Sequence, residues 1–292
     1  MVEMKPHSIL IIASTFHPSV GGAESYAFNL ARGLARRRHR VRVLTDRRDP
    51  ALPHVEDLDG FTVHRASSFW NSVIDPDRVR WEQLYFALLD DEVTHTALAD
   101  VDIIHSNSHE TAILGSMAAQ AMDVPFVASY HEQTPERGLL GSGRCRLIYG
   151  YLPIDAFIVG SRFYYEKAVQ FGTQPTRLHL VYHGIDTHAF RNLPDRRQAR
   201  TKLRLPLAGN VVVCAARLTE RKGLLDLIEA SVLLHRRGHR FHLRIAGSTN
   251  SSSRTYADAR RGCYCLRLAA PYAADRSAME LKPILDGRDA LH

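Results

Sequence analysis

Three short stretches hold residue types that can bind or polarise a polar ligand. The first is RLTERKG at Arg217–Gly223. Arg217 follows an apolar run and Lys222 opens a helical pattern, so both cations would stand at the carboxyl end of a strand, beside a helix N-terminus. Two cations in that position make a diphosphate site. Arginine grips phosphate as a fork, while lysine acts as a point charge. A solvated Arg/Lys loop is the plain alternative. The second is His131, directly after the apolar segment Pro125–Tyr130. An imidazole there can hydrogen-bond a hydroxyl or meet a developing charge near neutral pH, or it can be a satisfied loop histidine. The third is Gly21-Gly22-Ala23-Glu24, where glycine lets backbone amides approach a ligand and the following helix start favours an anion; a tight turn is the alternative. His105, ending a neighbouring apolar segment, could line the same crevice, although packing is its simpler role.

Such residues need a rigid scaffold, and the pattern supplies one. SILIIAS at Ser8–Ser14 reads as a buried parallel strand. A glycine loop follows, then Ala23, Ala27, Leu30 and Leu34 at helical spacing, then the strand Val41–Thr45. Phe61–Arg65, Val101–His105, Pro125–Tyr130, Ala156–Gly160 and Leu178–Tyr182 continue the strands. Trp81–Leu98, Thr111–Met122 and Arg162–Phe171 read as helices between them. This alternation predicts a parallel sheet covered by helices. Composition shifts at Asp186–Pro206, the expected linker. A second α/β unit follows, with strand Asn210–Ala216, helix Gly223–Arg236 and strand Phe241–Gly247. No clean period survives beyond Asn250.

The 292 residues are enough for two domains, and 45% apolar with 24% charged residues marks an ordinary globular chain. The longest unbroken apolar run, Val211–Ala216, has six residues, against the ~20 that a membrane-spanning helix needs. Met1–Pro6 is not a signal-peptide core, so a reducing cytosol is expected. The net charge of +7 is concentrated in Arg32–Arg48, with eight arginines and one acid, Asp46. That stretch reads as a solvated helix end or as a patch for an anionic membrane surface. No aromatic residues interleave with it, which argues against nucleic acid. Cys145, Cys214, Cys263 and Cys265 do not have zinc-ligand spacing, and no metal is expected. The G-x-G-x-x-G fingerprint is missing after the first strand, and so are a P-loop, a G-x-S-x-G elbow and H-E-x-x-H.

Taken together, the matching stretches resemble family 4 glycosyltransferases. They are ILIIASTFHPSVGGAESYAFNLARGLARRRHRVRVLT at Ile9–Thr45, VDIIHSNS at Val101–Ser108, PFVASYHE at Pro125–Glu132, LHLVYHGIDTHAF at Leu178–Phe190, AARLTERKGLLDLIEA at Ala215–Ala230 and LRIAG at Leu243–Gly247. The resemblance implies an α/β, GT-B-like fold: a Rossmann-like acceptor-side domain over residues 1–186, a partial donor-side domain over 187–250 and an atypical tail over 251–292. It implies transfer of a sugar, as in hexosyltransferases, from a nucleotide-sugar donor to a carbohydrate or lipid-linked acceptor, with retained configuration and no metal cofactor. By position, His131 would be the catalytic residue facing the transferred sugar. Gly21, Gly22, Arg217 and Lys222 would bind donor, the two cations neutralising its diphosphate as it leaves. HGID at His183–Asp186 would lie near the interdomain hinge. The basic helix end would suit peripheral attachment at the inner membrane face.

One departure stands out. The family carries a later motif of two glutamates seven residues apart around Phe-Gly, and nothing after Gly247 matches it. The ribose and sugar grips are therefore expected to be missing. The second domain is expected to be cut short, with an open sheet edge prone to aggregation. The competing function is a non-catalytic remnant that retains binding alone.

Overall fold

The structure, a computed structural model, describes residues 5–19, 21–66, 91–131, 141–216, 222–247, 264–267 and 280–283. The chain divides into two compact units, Met1–Ile185 and Asp186–His292.

The strands of the first unit are β1 (Ser8–Ala13), β2 (Arg40–Asp46), β3 (Val55–Leu58), β4 (Phe61–Ala66), β5 (Ile103–Ser106), β6 (Phe126–Tyr130), β7 (Ala156–Val159) and β8 (Leu178–Leu180). Its helices are α1 (Gly22–Ala35), α2 (Glu92–Leu98), α3 (His109–Met122), α4 (Gly141–Arg146) and α5 (Arg162–Gln170). The sheet runs β3-β4-β2-β1-β5-β6-β7-β8. Its pairings are parallel except for the β3–β4 hairpin.

β1 is buried along its whole length, as a central strand covered on both faces must be. Its alternation sorts side chains between two layers. Ile9, Ile11 and Ala13 pack with Val41, Val43 and the α1 residues Ala27 and Ala31. Leu10 and Ile12 pack with Leu44, Ile104, Phe126 and the α3 residues Ala112, Leu114 and Ala118. Each such large aliphatic burial is worth about 1.5–3 kcal/mol. Small residues let α3 lie close to the sheet: a Cβ at Gly115 would stand 2.5 Å from Phe126 Cε2.

The chain leaves β1 outward to β2 and β4, then returns beside β1 as β5 and runs the other way. Ligands in open α/β sheets bind outside the carboxyl ends of the strands where this reversal occurs. The sequence places its glycine turn and His131 at that end.

Only part of the basic stretch is the solvated helix end that its charge suggested. Arg42 is buried on β2. It donates to the carbonyls of Thr96 (3.0 Å), Ala99 and Asp100 (3.4 Å) at the end of α2, and to Ser8 Oγ (2.9 Å). Arg40 adds a bond to Asp100 O at 2.9 Å. These two arginines cap a helix C-terminus, satisfying its unpaired carbonyls and its dipole. Arg47 donates to Pro50 O and Leu52 O, and Arg48 pairs with Asp46 at 3.3 Å. Arg36, Arg37 and Arg38 remain exposed beyond α1.

In the second unit, α6 (Arg196–Lys202), β9 (Asn210–Ala215), α7 (Leu224–Arg236), β10 (Phe241–Gly247), β11 (Tyr264–Arg267) and β12 (Glu280–Pro283) follow in order. The sheet runs β12-β11-β10-β9, parallel only between β9 and β10. Leu243 and Ile245 are its buried centre, packed by Cys214, Leu224, Leu227, Ile228 and Phe241. β9 is an edge strand, with Val213 63% exposed.

Several boundaries differ from the sequence reading. The expected linker holds a short 3-10 turn, Thr187–Phe190, and the capped helix α6, whose Asp195 and Gln198 form a reciprocal capping box. β3 was not anticipated, and neither were β11 and β12 in a tail that showed no period. Of the helix expected over Trp81–Leu98, residues 81–90 lie outside the described residues.

Candidate functional site

The site is built from the carboxyl ends of β5, β6, β7 and β8 and the first turns of α1. Asn107, after β5, is the tie between them. Its Nδ2 donates to Ala23 O at 3.1 Å, fixing the start of α1 against the sheet. Its Oδ1 lies 3.3 Å from His131 Nε2. An amide oxygen only accepts, so the proton of His131 is on Nε2. Tyr164, on α5, donates its hydroxyl to His131 O at 3.2 Å. The predicted His131 is therefore held from two sides.

Rings complete the surroundings. The Tyr26 ring of α1 lies 4.5 Å from His131 and 5.0 Å from His183, and the two imidazoles are 5.2 Å apart. Tyr26 is in turn anchored from below. Its hydroxyl is 3.3 Å from Ser129 Oγ, which is 2.7 Å from His105 Nε2. His105 is fully enclosed, and burial, with a smaller contribution from His131, pushes its pKa down to about 4. It is neutral near pH 7 and serves as a buried hydrogen-bonding post behind the crevice, in keeping with the packing role.

The glycine turn splits into two cases. A Cβ at Gly21 would overlap the Glu24 carboxylate, whose Oε1 accepts from Thr15 Oγ1 at 2.6 Å. Glu24 also sits in the first turn of α1, where a negative group is favoured. The anion-friendly end of α1 thus already faces a carboxylate of its own. At Gly22 a Cβ would meet nothing within 4 Å. The space above Gly22 is open.

In the second unit, Lys222 is exposed and precedes Gly223, the left-handed N-cap of α7 (φ 63°). The N-cap, a glycine, supplies no side-chain cap, and Asp226 stands in the first turn. Arg217 lies outside the described residues. Among the described residues no group of three or more His, Cys, Asp or Glu side chains could hold a metal ion, and no helix is long and apolar enough to cross a membrane.

Sequence reasoning singled out His131, Gly21 and Gly22, and His183 only as part of the HGID stretch; it did not single out Tyr26, Asn107, Ser129, Gly160 or Tyr164. Asn107 and Gly160 sit one residue past a strand end, and for them that position was the available signal.

A sequence profile described as Glycosyltransferase Family 4 matches residues 20–189, more than half of the chain. The chain belongs to glycosyltransferase family 4. Among family relatives, it is 27% identical over 252 residues to a D-inositol 3-phosphate glycosyltransferase of Catenulispora acidiphila, covering 79% of this chain and 58% of that one. It is 26% identical over 239 residues to an uncharacterized glycosyltransferase of Methanocaldococcus jannaschii, covering 78% and 60%. The chain thus spans little more than half the length of these curated relatives. The solved structures it resembles include Anabaena HepE in complex with UDP-glucose (TM-score 0.61, 19% identity, 87% of this chain and 64% of that one). Sucrose-phosphate synthase of Thermosynechococcus elongatus is similar too (TM-score 0.63, 20% identity, 87% and 66%). These likenesses show the fold, an α/β, Rossmann-like GT-B architecture.

Proposed function

We propose that this family 4 chain transfers a sugar from a nucleotide-sugar donor to a hydroxyl acceptor with retained configuration. The bond from the anomeric carbon to the donor diphosphate breaks, and the nucleoside diphosphate leaves with the electron pair. The acceptor oxygen bonds to the same face of the sugar, and its proton passes to the departing phosphate. The unit Met1–Ile185 would take the acceptor and the second unit the donor. The observation that carries this reading is the His131 imidazole at the end of β6, in the crevice of the sheet, with its ring set against Asn107 Oδ1 and its backbone carbonyl bonded by Tyr164.

Each residue then has a role. His131 would hydrogen-bond the transferred sugar, and Gly22 leaves room for substrate against the backbone of α1. Lys222, with Arg217, would neutralise the leaving diphosphate, the charge that develops in the transition state. No metal is required in this scheme. The exposed Arg36, Arg37 and Arg38 would favour an acceptor displayed on an anionic lipid surface. UDP-glucose, the ligand of HepE, is the first donor to test. Release of nucleoside diphosphate should require both His131 and Lys222, and a wild-type chain inert toward uridine, guanosine and adenosine diphospho-sugars would refute the proposal.

A further inference from the structure

His183 lies on the loop after β8, two residues before the last residue of the first unit. That loop is tied to the sheet by Val181 N–H to Val159 O at 2.9 Å. On either side of His183, Tyr182 and Ile185 are 64% and 76% exposed. An exposed loop does not by itself fix a side chain. Yet the His183 ring turns back over the end of β7 to meet Tyr26 at 5.0 Å and His131, edge-on at 64°, at 5.2 Å. Gly160 is what admits it, because a Cβ there would overlap the imidazole. Gly160 is not in the left-handed region, so the backbone does not demand glycine. The space it leaves is filled by His183.

We propose that His183 is a positioning residue for His131. With Tyr26 it walls the His131 ring, so that the imidazole meets the substrate in one orientation, and Gly160 is the notch that seats it. The inference rests on the reading of His131 as the group that faces the transferred sugar.

The test uses the full-length chain with labelled histidine, followed by NMR without donor, the His131 signals being assigned from His131→Gln. In His183→Ala the His131 ring-proton signals shift and broaden, as a neighbouring ring is lost and the imidazole samples other rotamers. In His183→Phe they stay narrow. Gly160→Ala reproduces the His183→Ala spectrum, and the double variant is no worse than either single one, as expected for residues acting through one contact. With UDP-glucose as probe, His183→Ala lowers kcat by about ten-fold with KM nearly unchanged, the signature of misplacement, and His183→Phe restores most of it. Unmoved His131 signals in His183→Ala, or additive effects of the two substitutions, would overturn the proposal. The spectra need no turnover, so failure of UDP-glucose to react would count against the proposed function, while the spectra alone decide the role of His183.

Discussion

The ring of Tyr26 lies 4.5 Å from that of His131, inclined at 59°. Behind it, Ser129 joins the Tyr26 hydroxyl to the buried His105. One helix and two strands thus converge on a single imidazole, which is set between the Tyr26 face and Asn107. Tyr26→Ala is expected to lower transfer by about 10–100-fold through loss of orientation. Tyr26→Phe keeps the face and loses only the hydroxyl contact, costing about 1 kcal/mol of stability. Steady-state kinetics and urea denaturation of both variants check this. Equal loss of activity in the two would assign the effect to the hydroxyl instead.

His105 gives a pH dependence with a definite sign. Its ordinary pKa of 6.5 is pushed down to about 4 in the folded chain. Between those values the unfolded chain binds a proton that the folded one does not, so stability falls as pH falls through this window and is level above it. The full effect is on the order of 3 kcal/mol. Urea titrations of wild type and His105→Gln from pH 7.5 to 4.5 should converge as the pH drops. Parallel curves would show that His105 does not titrate as described.

Arg42 should matter to stability out of proportion to its place in a run of arginines. Its guanidinium serves three carbonyls at the end of α2. Arg42→Ala removes the donor of the Thr96 and Ala99 carbonyls in a mostly buried place, while Arg40 still serves Asp100, costing about 2–3 kcal/mol. Arg37→Ala, on the exposed part of the same run, should change stability by no more than about 0.5 kcal/mol. Thermal denaturation of the pair decides whether the stretch is structural or only a surface charge.

The sheet of the first unit was largely legible in the sequence. Strands buried on both faces are written as apolar runs, and residues after their carboxyl ends fall in the crevice. His131 was found in that way. Tyr26 was not, because a tyrosine on an amphipathic helix has no local mark, and the HGID stretch did not show that the His183 ring would meet His131. Only the return of β8 beside β7 brings them together. β3 was missed although its turn was written in Asp59-Gly60, both at positive φ (47° and 89°), the usual hairpin chemistry. The charged VEDL of an edge strand hid it. The arginines of β2 misled for the opposite reason: eight like charges read as a surface, while the strand carries Arg42, buried, and Arg40, exposed, to a helix end.

Gly115 is a packing requirement on α3. Gly115→Ala puts a methyl against the Phe126 ring and should destabilise the chain by about 1–3 kcal/mol. Combining it with Phe126→Leu should recover part of the loss of Gly115→Ala, relative to Phe126→Leu alone. Urea midpoints of the four proteins make the comparison, and strict additivity would show that the two positions do not meet.

The central claim is that this chain holds a nucleotide sugar through its diphosphate. Titration calorimetry of the full-length protein with UDP-glucose, GDP-mannose and ADP-glucose tests it without the need to know the acceptor. One of these should bind with a Kd below about 1 mM, or about −4 kcal/mol, and Lys222→Ala should weaken it by about ten-fold or more through loss of a charge-assisted contact. Heat signals absent for all three, or affinity unchanged in Lys222→Ala, would contradict the account.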